Sequence, residues 1–303
     1  MEYKIEYYYN LFANNIITIN DDYYFYYENI KYCLYKIRKN DNVIYTIELL
    51  KHIELPTLIS TLVKNKNGMI LTTISGNDYV LLKINLRFNR KIIFEDLFYF
   101  RKNIDMNREL WNLNKFRWSE MWKTKIDYYE SLVKENSNFS FDVKVLMYYF
   151  VSIGENAIKY INKVITFPED KINNKKYAIS HNRVMSDSWL IELCNPFGLI
   201  IDHESRDTAE YLKSCFIQKK DFNYISNVIK RANLTDVGYE LVFSRLLFPT
   251  MFFDLLDSSM DFLSNKKIVE MYDLTIKYEN FLSFVYMAIC EKIRLPAIKW
   301  ING

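Results

Sequence analysis

Two short stretches carry the polar residue types from which a site can be built. One apolar run, Tyr177-Ala178-Ile179-Ser180, ends in Ser180-His181-Asn182-Arg183, and a second, Gly198-Leu199-Ile200-Ile201, ends in Asp202-His203-Glu204. Strands that deliver imidazole, guanidinium and carboxylate groups at their ends present proton-exchanging and ion-holding chemistry on a rigid support. His181 has no serine or cysteine partner that would make it a nucleophile's base, so it reads as a structural histidine. Asp207 and Glu210 have the spacing of a capping box for a following helix. The cysteines, Cys33, Cys194, Cys215 and Cys290, lie far apart with no Cys-x-x-Cys pair and no zinc-like spacing, and read as reduced core thiols.

The elements that must position these groups fall into two regions. Residues 1–88 are strand-rich, with aromatic and β-branched runs at Tyr23–Tyr27, Lys31–Ile37, Met69–Thr73 and Tyr79–Ile84. The turn Ser75-Gly76-Asn77-Asp78 joins the last two as a hairpin. Between them Ile44, Ile47 and Leu50 recur at helical spacing, which predicts one helix over Asp41–Ile53, ended by Pro56. From residue 89 to residue 303 the period changes, and helices are predicted over Trp118–Leu132, Phe141–Val164, Asp207–Phe216, Asp221–Ala232 and Asp236–Leu263, with the hinge near Ile84–Leu86. Trp111, Trp118 and Trp122 cluster at the start of one helix, where core packing accounts for them. A small β-rich lobe followed by a larger helical lobe holding a short strand island is the pattern of a two-lobed, α+β, protein-kinase-like chain.

Composition narrows the partners. Of 303 residues half are hydrophobic and a quarter charged, and six glycines with five prolines are too few for a fibrous or low-complexity chain. A net charge of +3 is too small to displace counterions from a nucleic acid, so no DNA or RNA partner is expected. The start Met1-Glu2-Tyr3-Lys4 is not a secretory signal, and the most apolar stretch, Leu241–Leu256, is interrupted by Arg245 and Asp254, so neither secretion nor a membrane span is expected.

At the strand island the sequence resembles the aminoglycoside-phosphotransferase and choline-kinase-like superfamily, and more narrowly its CotS/YutH-like branch of spore-coat-associated proteins. The matching stretches are His181–Ser188, Ile200–Glu204 and Arg206–Glu210. The narrower branch is indicated by Ile153-Gly154-Glu155-Asn156-Ala157-Ile158, Asp202–Asp207 and Arg245-Leu246-Leu247-Phe248-Pro249, and the likeness covers roughly residues 65 to 260. It implies that His181 braces the catalytic loop, that Asp202, with Glu204 beside it, holds magnesium, and that Asp207 bonds the backbone of that loop. Lys36 would be the strand lysine on the phosphates and Glu48 its ion-pair partner, with a solvated strand residue as the plainer reading of Lys36.

The departures from the superfamily pattern carry the functional expectation. Arg183 stands where the base Asp belongs, and a guanidinium has no lone pair with which to accept a proton. Ser188 stands at the Asn position, where a hydroxyl is a weaker ligand for a hard cation. The first glycine is Gly68, so the early strands have no glycine-rich cradle for phosphates. Three readings follow. The first is a kinase-fold protein without phosphotransfer, no cofactor expected, made in the cytoplasm and laid down on the spore coat among other coat proteins. The second is a working kinase using Mg-ATP on a sugar or amino alcohol, for which Asp187 would have to replace the base. The third is a structural helical protein whose motif match is accidental. In the first reading Arg183 is expected to pair with Asp202 or Asp207, in place of the metal's charge.

Overall fold

The computed structural model describes residues 1–54, 57–101, 113, 115–136, 139–165, 176–259 and 265–298. Pro56 and Trp111 lie outside them. The N-terminal region opens with helix α1 (Glu2–Tyr9) and continues through strands β1 (Asn14–Ile19), β2 (Asp22–Tyr27) and β3 (Ile30–Lys36), helix α2 (Val43–His52), and strands β4 (Thr61–Val63), β5 (Leu71–Ile74) and β6 (Asn77–Ile84). The sheet is antiparallel in the order β1-β2-β3-β6-β4, and β5 pairs with β6. Its hairpins turn on two residues each, with φ of 50° and 68° at Asn20 and Asp21, 49° and 62° at Glu28 and Asn29, and 50° and 79° at Ser75 and Gly76. Two successive left-handed residues match the twist of the flanking strands, which is why Asn, Asp and Gly occupy these corners.

Alternation along the strands splits the apolar residues between two cores. Tyr32, Leu34, Tyr79 and Leu81 pack with Phe25 and with Ile5 and Tyr9 of α1. Cys33, Val80, Leu82 and Ile84 face the other way and meet Phe197 from the helical region. The predicted strands and α2 are present, whereas α1, β1 and β4 were not foreseen. Strand β1 is exposed along almost its whole length, so it shows no period-2 burial for a sequence pattern to reveal.

The second region comprises α3 (Asp96–Phe100), α4 (Trp118–Glu135), α5 (Phe141–Ile165), β7 (Tyr177–His181), α6 (Leu190–Leu193), β8 (Leu199–His203), α7 (Arg206–Ile217), α8 (Phe222–Arg231), α9 (Asp236–Leu247), α10 (Thr250–Ser259) and α11 (Asn265–Cys290). The single helix expected over Asp236–Leu263 is two. Phe248, with φ −70° and ψ 121°, is extended because the ring of Pro249 excludes the helical conformation before it. Helix α11 was missed because Val269, Ile276 and Met287 are exposed and blur its apolar stripe. Helix α7 is buried on every side from Asp207 to Cys215 and forms the axis of the helical core. Where α4 crosses α5, a Cβ on Gly154 would lie 2.3 Å from Ile126 Cδ1, so glycine there permits the close approach.

The regions are joined by specific contacts. The Tyr35 ring stacks on Phe197 with centroids 5.2 Å apart. The Tyr45 hydroxyl on α2 donates to Leu113 O at 3.1 Å and accepts from Ile201 N at 3.1 Å, which ties the helix to β8 immediately before Asp202.

Candidate functional site

Strands β7 and β8 pair antiparallel with His181 opposite Leu199 and Ala178 opposite Asp202. Helix α7 begins three residues after β8, so its first turn faces both strand ends. His181 is 2% exposed, and Asp207 accepts from its backbone N at 2.8 Å and contacts its Nδ1 at 2.8 Å. Its Nε2 contacts Leu193 O at 3.2 Å. Both ring nitrogens thus face acceptors, and the ring is held between the start of α7 and the backbone at the end of α6. Asp207 accordingly bonds the loop rather than its own helix. The capping box expected of Asp207 and Glu210 is absent: α7 has no side-chain cap, and Asp207 is its second residue and Glu210 its fifth.

Asp202 is completely buried. Its Oδ2 accepts from Trp118 Nε1 at 3.0 Å and from Arg206 Nη1 at 2.6 Å, and its Oδ1 accepts from His203 N at 2.7 Å. Arg206 also donates through Nε to His181 O at 2.8 Å and through Nη2 to Asn182 O at 3.0 Å. One guanidinium therefore satisfies the acid at the end of β8 and the carbonyls at the end of β7. Glu204, two residues beyond Asp202, is 5% exposed. Its carboxyl is pushed up by burial and is drawn back by the charges of Arg101 and Lys176. Among the described residues no three His, Cys, Asp or Glu side chains come together in a way that could hold a metal ion. With both oxygens of Asp202 engaged and a cation against one of them, these residues do not fit a magnesium ion.

Arg183 does not meet Asp202 or Asp207. Its Nη2 lies 2.7 Å from Asp254 Oδ2 on α10, with the two side chains 57% and 41% exposed. The cation against Asp202 is Arg206 instead. Burying a second guanidinium beside an acid already compensated would cost solvation without gain, whereas Arg183 keeps water by pairing at the surface. Asp187 is exposed, and its carbonyl accepts from Lys91. Ser188 is held through its backbone, which accepts from Ile92 N at 3.0 Å and donates to Met185 O at 2.9 Å.

The next turn of α7 carries a second buried group. Glu210 Oε1 lies 2.8 Å from Arg245 Nε and 3.5 Å from Lys213 Nζ. Burial alone would raise the Glu210 carboxyl, but Lys213 and Arg245 hold it well below the usual carboxylate range. The Arg245 guanidinium also sits 4.6 Å over the Trp118 ring, so Trp118 is more than core filling: its face meets one cation and its N–H meets Asp202. Arg206, Trp118 and Arg245 carry this network, and the sequence reading gave none of them that role. The signal was present in Arg206 and Arg245, charged residues inside stretches otherwise destined for burial.

The expected lysine and glutamate pair is absent from the other side of the cleft. Lys36 Nζ lies 3.1 Å from Asp21, while Glu48 contacts Lys51 at 3.0 Å and His52 at 2.7 Å. Strand parity explains this. Lys31, Cys33 and Tyr35 line an interlobe cavity of about 640 Å³, and Lys36 is out of phase with them. Above that cavity the β1–β2 turn is pinned by Arg38, which donates to both oxygens of Asp22 at 2.7 Å and to Asn20 O at 2.9 Å. This tight turn, with Asp21 held by Lys36 and Asp22 by Arg38, offers no glycine for close backbone approach to a phosphate.

A model of the family described as "Spore coat putative kinase YutH" matches residues 2–283. The chain belongs to that family. It is similar to the endospore coat-associated protein YutH of Bacillus subtilis strain 168, at 26% identity over 273 residues and 80% of each chain. In fold it is similar to an aminoglycoside phosphotransferase from Alicyclobacillus acidocaldarius, with a TM-score of 0.60 at 12% identity over 93% of this chain and 94% of that one. A spectinomycin phosphotransferase in complex with ADP and spectinomycin gives 0.54 at 10% identity over 95% and 97%. The kinase-like fold read from the strand island is therefore present, and no helix among the described residues is long and apolar enough to cross a membrane.

Proposed function

We propose that this chain is a kinase-folded component of the spore coat that binds or assembles with other coat proteins and does not transfer phosphate. The observation that carries the reading is the engagement of Asp202, whose Oδ2 accepts from Arg206 at 2.6 Å and from Trp118 at 3.0 Å, so that a guanidinium charge already compensates the acid. Arg183, at the position of the base, supports it, since a guanidinium cannot accept the hydroxyl proton. The coat association is carried over from the family and the Bacillus subtilis relative.

The interlobe cavity of about 640 Å³ favours one rival reading, a chain that still binds and uses nucleotide. The purified chain is incubated with labelled Mg-ATP and a panel of sugars and amino alcohols, and its melting is followed over a nucleotide titration. The expected result is no transfer and no saturable shift. A shift that requires magnesium and vanishes in Asp202→Ala would establish the rival reading. Coat association is tested separately, by expressing the tagged chain in sporulating Bacillus subtilis and fractionating the spores; absence from the coat fraction would overturn that part.

A further inference from the structure

A second cavity, of about 650 Å³, opens on the helical region between the loop after β7, the C-terminal end of α7, and helices α10 and α11. Its charge is one-sided. Arg183, Lys213, Lys219 and Lys277 line it against a single carboxylate, Asp254, and Arg183 already neutralises that carboxylate. Its remaining wall is apolar, and three of the side chains there, Met185, Ile217 and Leu255, are left 38%, 44% and 37% exposed at its rim. Its volume is that of a small-molecule pocket.

The cation deepest in this wall is the decisive one. Lys213 is 4% exposed, yet its ammonium has only one partner among the described residues, Glu210, at the long distance of 3.5 Å. Glu210 is itself shared with Arg245 at 2.8 Å. An ammonium has three N–H donors, and leaving them unmet in a buried position is costly unless an acceptor arrives. Burial, with Arg245 and Arg183 adding repulsion, already pulls Lys213 down to about 8 despite the attraction of Glu210. An oxyanion entering from the cavity would supply both the acceptors and the charge.

We propose that this cavity is a binding site for a small amphiphilic anion, a carboxylate or phosphate carried on an apolar body, with the oxyanion on Lys213 and the body against Met185, Ile217 and Leu255. Its lining takes Arg183 and Met185 from the loop after β7 but shares no residue with the interlobe cavity, and binding there needs no phosphotransfer.

The test uses the purified full chain and four probes built on a ten-carbon chain, below micelle-forming concentrations: decanoate, decyl phosphate, decanol and decyltrimethylammonium. Calorimetric titration should give saturable binding, one per chain, for at least one anion, with the alcohol and the cation at least tenfold weaker. Decanoate against decyl phosphate decides which headgroup the site takes. Lys213→Met should weaken the anion at least tenfold. Because a buried substitution can disturb folding, Lys277→Glu and Lys219→Glu, both at exposed positions, provide a second measure, and each should weaken binding several-fold. Absence of saturable binding by either anion, equal binding of all four probes, or binding unchanged in folded Lys277→Glu and Lys219→Glu would each overturn the proposal.

Discussion

The Arg206 guanidinium lies 2.6 Å from the Asp202 carboxylate, with the two side chains 11% and 0% exposed. The pair joins the end of β8 to the first turn of α7, and through His181 O and Asn182 O Arg206 holds the neighbouring strand end as well. Removing one member leaves the other buried without compensation. Arg206→Met should therefore lower stability by about 3–5 kcal/mol in urea denaturation. Asp202→Asn combined with Arg206→Met should cost less than the sum of the single changes, because the double variant leaves no orphan charge. Additive losses would show that the pair is not coupled.

Two buried glutamates make opposite contributions to the pH dependence of stability. Glu210 is depressed, burial being outweighed by Lys213 and Arg245, so the folded state binds protons less readily than the unfolded chain. Its contribution is complete above the ordinary glutamate range near 4.3 and is lost as pH falls below it. Glu204 is raised, by burial first, so it costs stability near neutrality and the cost is relieved on acidification. Glu210→Gln should destabilise by about 3 kcal/mol at pH 7 and flatten the acid limb of the curve. Glu204→Gln should be neutral or stabilising at pH 7. Urea midpoints measured from pH 3 to 8 check both signs.

Gly154 tests the helix crossing. An added methyl would meet Ile126 Cδ1 at 2.3 Å and Cγ1 at 3.1 Å, with the Phe248 ring at 3.5 Å. Alanine is favoured over glycine within a helix by about 1 kcal/mol, yet overpacking a filled core costs about 1–3 kcal/mol, so Gly154→Ala should be net destabilising. Removing the offending Cδ1 with Ile126→Val should recover most of that loss. A stabilised Gly154→Ala would show that Ile126 moves aside freely.

The legible parts of this chain were those in which local pattern and tertiary role coincide. Cys33 and Leu34 alternate between two cores, so the period-2 reading of β3 held, and the hairpin at Ser75-Gly76 was announced by its own residues. His181 and Asp207 meet because the spacing of the two motifs brings a strand end to a helix start, although the capping box read from Asp207 and Glu210 did not form. Side-chain direction was not legible. Whether Lys36 faces the cleft depends on strand phase, and whether Arg183 or Arg206 reaches Asp202 depends on which of them the fold buries. A four-residue separation in sequence says nothing of that when a turn lies between. The Trp118 hydrogen bond spans 84 residues and has no local signal at all.

Restoring the two altered motif positions should not restore an enzyme. Arg183→Asp would return a base, and Ser188→Asn would return an amide ligand, but three obstacles would remain. Arg206 and Trp118 would still hold Asp202, and Arg206 could be removed only at the cost in stability argued above. The β1–β2 turn would still present Asp21 and Asp22 under the clamp of Arg38 rather than a glycine cradle. A carboxylate at 183 would also face Asp254, the acid that Arg183 now contacts at 2.7 Å, and the repulsion would turn the new base outward. The double variant should therefore show no ATP-dependent transfer to sugars or amino alcohols. Nor should Mg-ATP raise its melting temperature, whereas occupancy at a hundred times a dissociation constant would stabilise it by about 2.7 kcal/mol. Transfer at a rate of order 1 per second, ordinary for kinases, would mean that Asp202 can leave Arg206 for a metal, and the assignment of that pair as a structural replacement for one would have to be withdrawn.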